Sequence, residues 1–140
     1  MSTDQEDPYV FRAELPRIET YLSLREIAGM PPRSREGAER GLPNTLLSIT
    51  ATDERNETVV GYGRVVGDDG TLYQISEVVV HPDHQRRGIG SGIMKRLMER
   101  IESRAPPGAF VCLLSDVDGF YERFGFAESR PDSKGMYRRL

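Results

Sequence analysis

The stretch from residue 75 to residue 101 constrains the fold most strongly, because it reads as a strand, a tight turn, a glycine-rich loop and a helix in unbroken order. β-Branched residues dominate up to Val80, and the following His81-Pro82 pair ends strand pairing because proline lacks a backbone N–H. From Gly90 onward, apolar residues recur at helical spacing, which predicts an amphipathic helix of about four turns. These apolar residues are Ile93, Met94, Leu97, Met98 and Ile101.

The loop at residues 85–90 has the composition of a phosphate-binding loop. Gly88 and Gly90 lack a β-carbon, so a ligand can approach the backbone, and the first amides of the next helix have no intrahelical acceptors. These amides and the helix dipole favour a phosphate or pyrophosphate, and Arg86 and Arg87 add positive charge. The nucleotide-hydrolase pattern GxxxxGK[ST] is absent, and the glycines give GxGxG instead of the dinucleotide fingerprint GxGxxG.

Residues 85–90 read QRRGIG and lie between a strand ending in VVV and a helix. In this setting the pattern QxxGxG resembles the acyl-coenzyme A loop of the GNAT superfamily of N-acetyltransferases. The segment FYERFGF at residues 120–126 resembles the FYxxxGF segment of the same family. The resemblance implies an enzyme that uses acetyl-coenzyme A as a co-substrate.

The order of predicted elements gives a single domain over residues 1–140 of the α+β or mixed α/β class. We expect a central mixed, mostly antiparallel sheet of six to seven strands, flanked on both faces by about four helices. The resemblance implies that the strands Leu72–Val80 and 109–114 run parallel in the centre and splay apart, leaving a gap for the pantetheine arm. The uninterrupted apolar run at 109–114 predicts a strand buried on both faces.

The remaining elements follow from periodicity and turn signals. Ser34 is a candidate helix cap, and the turn at residues 67–70 is a strong hairpin signal. The further strands are predicted at 9–11, 46–51, 59–66, 126–128 and 136–139, and the further helices at 15–29, 34–40 and 116–124.

Acetyl transfer to an amine needs an unprotonated nucleophile, stabilisation of the oxyanion and a proton for the leaving thiolate. Glu77 lies on the predicted strand, on the face expected to carry Tyr73, Ile75 and Val79, and burial tunes a carboxylate toward service as a base. The resemblance implies a base on this strand, often acting through water, and assigns that role to Glu77. The alternative is a carboxylate that only organises water or pairs with an arginine.

The resemblance also assigns a general acid and a set of coenzyme contacts. Tyr121 matches the tyrosine that the family often places near the coenzyme sulfur, and a phenol can protonate a departing thiolate; the alternative is aromatic packing. Backbone amides of the strand end would bind the thioester carbonyl and pantetheine, unless this is plain core strand. The expected coenzyme-binding residues are Val78, Val79, Val80, Gln85, Arg86, Arg87, Gly88, Ile89, Gly90 and Ser91.

Two other patterns have simpler explanations, so we expect no metal site. The HPDH segment at 81–84 fits turn chemistry better than a ligand set. The DVDG segment at 116–119 has its glycine at the fourth position and lacks the closing acid of a calcium loop. The single cysteine, Cys112, cannot form an internal disulfide and is expected to be a buried, inert thiol.

Charge and hydropathy exclude several classes of partner. The net charge of -3 gives no general attraction to nucleic acid, and no apolar run approaches the roughly 18 residues that a membrane span needs. The start at residues 1–7 is polar and acidic, unlike a secretory signal, so the cytoplasm is the expected compartment.

The leading hypothesis is an N-acetyltransferase that moves an acetyl group from acetyl-coenzyme A to a primary amine by direct attack in a ternary complex. The alternative is a non-catalytic acyl-coenzyme A sensor or interaction module on the same fold. The acceptor is open between a small-molecule amine and a protein amino group, and the resemblance leaves a homodimer open. The resemblance implies that residues 21–44 and 130–137 border the acceptor side. Four arginines could attract an anionic small molecule there or simply be solvated: Arg25, Arg33, Arg35 and Arg40.

Overall fold

The computed structural model describes residues 7–140. The strands within this range form one five-stranded sheet with the strand order β1-β2-β3-β4-β5. The first three pairings are antiparallel, and only β4 and β5 run parallel. The strands are β1 at Tyr9–Arg12, β2 at Leu47–Asp53, β3 at Thr58–Gly67, β4 at Leu72–Val80 and β5 at Phe110–Cys112.

Three α-helices cover the two faces of the sheet. α1 (Ile18–Ile27) and α2 (Arg35–Gly41) lie on one face, where their apolar residues pack with Tyr62 and Val79. α3 (Ile89–Arg104) lies on the other face, and its buried stripe forms the main core with strands β1 to β4. Short 3-10 turns occur at Leu42–Asn44, Pro82–His84 and Tyr121–Phe124. The mixed α/β class with helices on both faces is confirmed.

The central unit has the predicted form. β4 occupies the predicted residues, and α3 begins within the glycine-rich loop and runs for 16 residues. The N-cap of α2 is also as expected, because Ser34 Oγ accepts a hydrogen bond of 2.9 Å from the amide of Gly37. The hairpin predicted at residues 67–70 joins β3 to β4.

The predicted size of the sheet is wrong for the described residues, which contain five strands and not six or seven. The segments 126–128 and 136–139 are not strands. Met136 and Tyr137 are 81% and 76% exposed, so their apolar side chains gain no burial that would hold an added strand in place. The parallel pair consequently lies at the edge of the sheet and not at its centre.

β5 is buried on one face only, which also corrects an expectation. Val111 and its alternate neighbours pack against the main core, whereas Phe110 and Leu114 are 60% and 68% exposed. Burial alternates in this way when only one face of a strand is covered by the core, although the sequence of this strand is apolar throughout.

The helix predicted at residues 116–124 is reduced to the single 3-10 turn Tyr121–Phe124. Gly119 and Gly125 have φ angles of +81° and +91° on either side of this turn. Left-handed backbone interrupts a right-handed helix, so the segment between the two glycines has room for one turn. The described chain therefore has three α-helices instead of about four.

Candidate active site

The parallel pair of β4 and β5 extends over only part of β4. Their pairing runs from Leu72 opposite Phe110 to Gln74 opposite Cys112, and β4 then continues alone to Val80 on that side. Within residues 7–140, no strand pairs with this half of β4 on the edge opposite β3. This edge of β4 leaves a gap lined by unpaired backbone, whereas the splaying of the two strands that the resemblance implies stays a prediction.

Two amides of the strand end are directed into this gap. The amide of His81 donates to Val60 O of β3 at 2.8 Å, and alternate residues of a strand direct their N–H groups to opposite edges. The amide of Val79 therefore faces β3, while the amides of Val78 and Val80 face the gap. Gln85 Nε2 donates to Val80 O at 3.2 Å, so the loop closes the end of the gap.

A β-bulge on β4 sets the direction of Glu77. Arg64 is opposite Glu77 and the next residue, Val65, is opposite Ile75, so Ser76 is an extra residue on β4. The bulge interrupts the alternation of side chains. Glu77 consequently lies on the α1 face, whereas Ile75 packs in the α3 core. The expectation that Glu77 shares a face with Tyr73 and Ile75 is wrong for this reason, since both belong to the α3 core, whereas Val79 packs with α1.

The carboxylate of Glu77 binds two buried arginines. Arg25 Nη1 lies 3.1 Å from Oε1, and Arg64 Nη1 lies 3.1 Å from Oε2. Tyr62 Oη donates a longer hydrogen bond of 3.4 Å to Oε1, and burial, followed by the Glu77 charge, raises the pKa of Tyr62 so that it stays a donor. The side chain of Glu77 is only 2% exposed.

The alternative that Glu77 pairs with an arginine is thus observed; sequence reasoning missed Arg64, and its expectation that Arg25 attracts an anionic ligand or is solvated is wrong. Arg25 projects from α1 and is also held by the carbonyl of Pro31, at 2.6 Å from Nη2 and 3.2 Å from Nε. A signal for it exists, because Arg25 follows Tyr21 at i+4 and so occupies a position on the buried face of α1. Arg64 on β3 carries no comparable signal.

The glycine-rich loop has the backbone geometry of an anion site. Gly88, the N-cap of α3, has a φ of +81°, and Arg86 has a φ of +65°. The amide of Gly92 makes the first bond of the helix, to Gly88 O at 2.9 Å. The amides of Ile89, Gly90 and Ser91 therefore have no acceptor within the helix.

The two loop arginines differ in their contacts. Arg87 Nη1 donates to Tyr9 Oη at 3.1 Å, and that hydroxyl lies 2.7 Å from His84 Nδ1. These contacts tie the loop to β1. Arg86 is exposed and extends from the loop without a hydrogen bond to another described residue.

Tyr121 packs beside the start of α3. Its ring is edge-on to Phe120, with 4.8 Å between centroids, and Phe120 in turn lies against Gly90. Arg123 Nη2 donates to Ser91 Oγ at 2.8 Å, which fastens the same turn to the helix. Burial, together with the charge of Asp116, raises the pKa of Tyr121, so its phenol keeps its proton.

The predicted acid and base lie on opposite faces of the sheet. Glu77 faces α1, whereas Tyr121 packs with the α3 core, and the gap between β4 and β5 lies between them. The loop residues and the two gap-facing valines are brought together at the end of β4.

Burial raises the pKa of Cys112, which disfavours its thiolate.

The histidines near the loop have local partners. His81 Nδ1 accepts from the amide of Asp83 at 3.1 Å, as expected of turn chemistry. No group of three or more His, Cys, Asp or Glu suited to a metal ion occurs within residues 7–140. Over the same residues, no helix combines the length and apolarity that a membrane crossing requires.

A short parallel pair, an amide-lined gap and a glycine-rich helix start together form the arrangement that the resemblance to the acetyltransferases implies. The sequence model for the acetyltransferase (GNAT) domain matches residues 48–128, which is more than half of the chain. The chain belongs to the GNAT family of acetyltransferases.

Solved structures agree with this assignment. A probable acetyltransferase of unknown function from methicillin-resistant Staphylococcus aureus is 39% identical, with a TM-score of 0.88 over 94% of this chain and 99% of that one. A GNAT family acetyltransferase from Brucella melitensis, solved in complex with acetyl-coenzyme A, is 24% identical with a TM-score of 0.63 over 85% of this chain and 82% of that one. The second likeness establishes the fold alone.

Curated relatives are longer proteins. GCN5-related N-acetyltransferase 1, a chloroplastic protein of Arabidopsis thaliana, is 30% identical over 81% of this chain and 58% of its own length. An uncharacterized N-acetyltransferase of Pyropia yezoensis is 28% identical over 66% of this chain and 53% of its own length. The chain thus spans about half the length of these relatives.

Proposed function

We propose that this protein transfers an acetyl group from acetyl-coenzyme A to a primary amine by direct attack, without a covalent enzyme intermediate. The observation that carries the proposal is the gap beside β4, where pairing with β5 ends at Gln74 while β4 continues to Val80. A gap beside two free backbone amides suits an extended acyl-pantetheine arm, because the arm can pair with the strand and the amides can bind its thioester oxygen.

The loop suits the coenzyme's phosphates. The amides of Ile89, Gly90 and Ser91 and the dipole of α3 would bind the pyrophosphate, and Gly88 gives the phosphates access to the backbone. Arg86 and Arg87 would add charge-assisted hydrogen bonds, with Arg87 preoriented by Tyr9. Gln85 would close the end of the gap through its bond to Val80 O.

The chemistry then needs one group on each side of the gap. The amine nitrogen forms a bond to the thioester carbon while the amides of Val78 and Val80 stabilise the oxyanion. The carbon–sulfur bond breaks, and Tyr121 gives its proton to the leaving thiolate. Glu77 takes the proton from the amine through water, because its side chain is too buried to touch the acceptor.

The competing hypothesis is a sensor that binds the coenzyme without chemistry. The enzyme and the sensor are distinguished by thiol release from acetyl-coenzyme A, measured with and without a broad set of amines. An enzyme releases thiol only when an amine is present, and one acetylated amine appears by mass spectrometry for each thiol. Coenzyme binding without amine-dependent release would contradict the proposal and favour the sensor. A homodimer and a cytoplasmic location stay predictions.

A further inference from the structure

A cavity of about 210 Å³ lies on the α1 face of the sheet, beside the Glu77 cluster. Its polar lining comes from Tyr21, Arg33, Ser34 and Arg64, and its apolar lining from Ala38 and Leu42, with glycines of α2 completing the wall. Two arginines line this cavity and no acidic residue does. Its charge is therefore positive.

The buried part of this charge is not fully compensated. Arg25 and Arg64 share one carboxylate, Glu77, and the side chains of all three are at most 9% exposed. Two guanidinium groups against one carboxylate leave one positive charge in a buried setting. Such a charge is costly unless a counter-ion approaches it.

Two donors of the lining are also left without partners. Arg64 donates from Nε to Thr45 and from Nη1 to Ser76 and Glu77, but within residues 7–140 its Nη2 makes no hydrogen bond. The hydroxyl of Tyr21 makes none to the same residues either, although Tyr21 is only 3% exposed. Buried polar groups are nearly always paired, so these donors favour an oxygen acceptor in the cavity.

Arg33 adds a third donor at the mouth of the cavity. It is exposed, and its only side-chain hydrogen bond to the described residues is a long one of 3.4 Å, to the carbonyl of Pro32. The arginines of α2 differ from it, because Arg35 pairs with Glu19 at 2.8 Å and Arg40 pairs with Glu36 at 2.8 Å. Arg33 is thus the available cation on this rim.

Arg64 links the cavity to β4, the strand that borders the gap. Arg64 Nη1 lies 3.4 Å from Oγ of Ser76, the bulge residue, and β4 leads from there to the gap-facing amide of Val78. A volume of about 210 Å³ equals roughly seven water molecules at about 30 Å³ each. It holds a small oxyanion with a few carbons, and not the surface of a folded protein.

We propose that the acceptor is a small amine that carries a carboxylate or phosphate, and that Arg33, Arg64 and the Tyr21 hydroxyl bind this oxyanion while the amine reaches the gap. The inference rests on the proposed acetyl transfer. It assigns Arg33 and Tyr21 as residues that determine acceptor specificity.

The first test compares amines of different charge in the thiol-release assay. Matched pairs are O-phosphoethanolamine with ethanolamine, and 4-aminobutanoate with 4-aminobutanamide, within a wider amine set. We expect the best acceptors to be anionic, with kcat/KM at least tenfold above the neutral partner. The two pairs tell a phosphate from a carboxylate. Neutral or purely cationic amines as the best acceptors would overturn the inference.

The second test changes the cavity. Arg33→Glu should raise the KM for the best anionic amine at least tenfold and leave kcat within twofold, whereas Arg35→Glu, on the neighbouring surface, should change neither. Tyr21→Phe should raise the same KM severalfold without loss of stability, because within residues 7–140 its hydroxyl makes no hydrogen bond that the change would remove. Equal effects of Arg33→Glu and Arg35→Glu would contradict the assignment.

A third measurement separates this inference from the proposed function. Inorganic phosphate and acetate are titrated by calorimetry into protein saturated with coenzyme A, so that the coenzyme site is filled. At least one of the two anions should bind to the wild type and to Arg35→Glu, but not to Arg33→Glu. Such binding without acetylation of any amine would reject the enzyme and keep the anion site. Absence of any anion binding would reject the site.

Discussion

Arg64 Nη1 lies 3.1 Å from Oε2 of Glu77, and the two side chains are only 9% and 2% exposed. Arg25 binds the other carboxylate oxygen at the same distance, so a single acid is held between two buried guanidinium groups. This pairing links the fold to the chemistry, because it joins α1, β3 and β4 at the strand that borders the gap.

Glu77→Gln should lower the free energy of unfolding by about 3 kcal/mol, since loss of one partner leaves buried charge uncompensated. Urea denaturation measures this loss. The matched control is Glu36→Gln, which removes an acid that is 75% exposed beside Arg40 and should cost less than about 1 kcal/mol. Similar losses in both variants would show that the buried pairs carry no special weight.

The same Glu77→Gln variant should lower turnover mainly at low pH, where the acceptor amine is protonated and a base must remove its proton. The measurement is kcat against pH, normalised to the folded fraction. A purely structural Glu77 predicts an unchanged shape of the profile after normalisation.

Tyr121→Phe should lower kcat and leave coenzyme binding nearly unchanged, because it removes only the proton donor. Burial raises the pKa of Tyr121 above its ordinary value of about 10. The protonated form is lost only as pH rises through this raised pKa, so Tyr121 should cause no fall in kcat below about pH 10. Tyr137→Phe, at a 76% exposed tyrosine, is the control. Unchanged kcat in Tyr121→Phe would reject its role as the acid.

Arg86→Ala should raise the KM for acetyl-coenzyme A about tenfold without a large change in kcat, because a charge-assisted hydrogen bond contributes about 1.5 to 3 kcal/mol. Initial rates at varied coenzyme concentration measure this change. Arg100→Ala removes an exposed arginine further along α3 and should leave the KM unchanged. Equal KM values in the two variants would contradict phosphate contact by Arg86.

The fold depends on a close approach of α3 to β3 at Gly63. A β-carbon there would lie 2.6 Å from Ile93 Cγ2 and 2.8 Å from Leu97 Cδ1. Gly63→Ala should therefore lower the free energy of unfolding by about 1 to 3 kcal/mol through overpacking. Gly41→Ala meets no atom within 4 Å and should be neutral or slightly stabilising. Urea denaturation of both variants provides the comparison.

Local pattern predicted the central unit well. β-Branched residues up to Val80 and the helical spacing from Ile93 to Ile101 specify β4 and α3 by periodicity alone, and Ser34 specifies a cap by its own side chain. Such features need only neighbours close in the chain.

Tertiary features were the ones that sequence reasoning missed. The bulge at Ser76 and the pairing of Glu77 with Arg25, which lies 52 residues away, depend on how β3 and α1 meet β4. The apolar residues Phe110 and Met136 predicted buried positions, but burial requires packing against another element, and both side chains stay exposed in the described chain.

The most direct test of the central claim is thermal unfolding with acetyl-coenzyme A, coenzyme A, ATP and NAD at equal concentrations. A ligand present at about 100 times its dissociation constant adds roughly 2.7 kcal/mol, which raises the midpoint by several degrees. We predict this shift with acetyl-coenzyme A, and a separate shift with free coenzyme A is consistent with the same site. Absence of a shift with both, or a larger shift with ATP or NAD, would contradict the assignment of the gap and loop to the acyl-coenzyme.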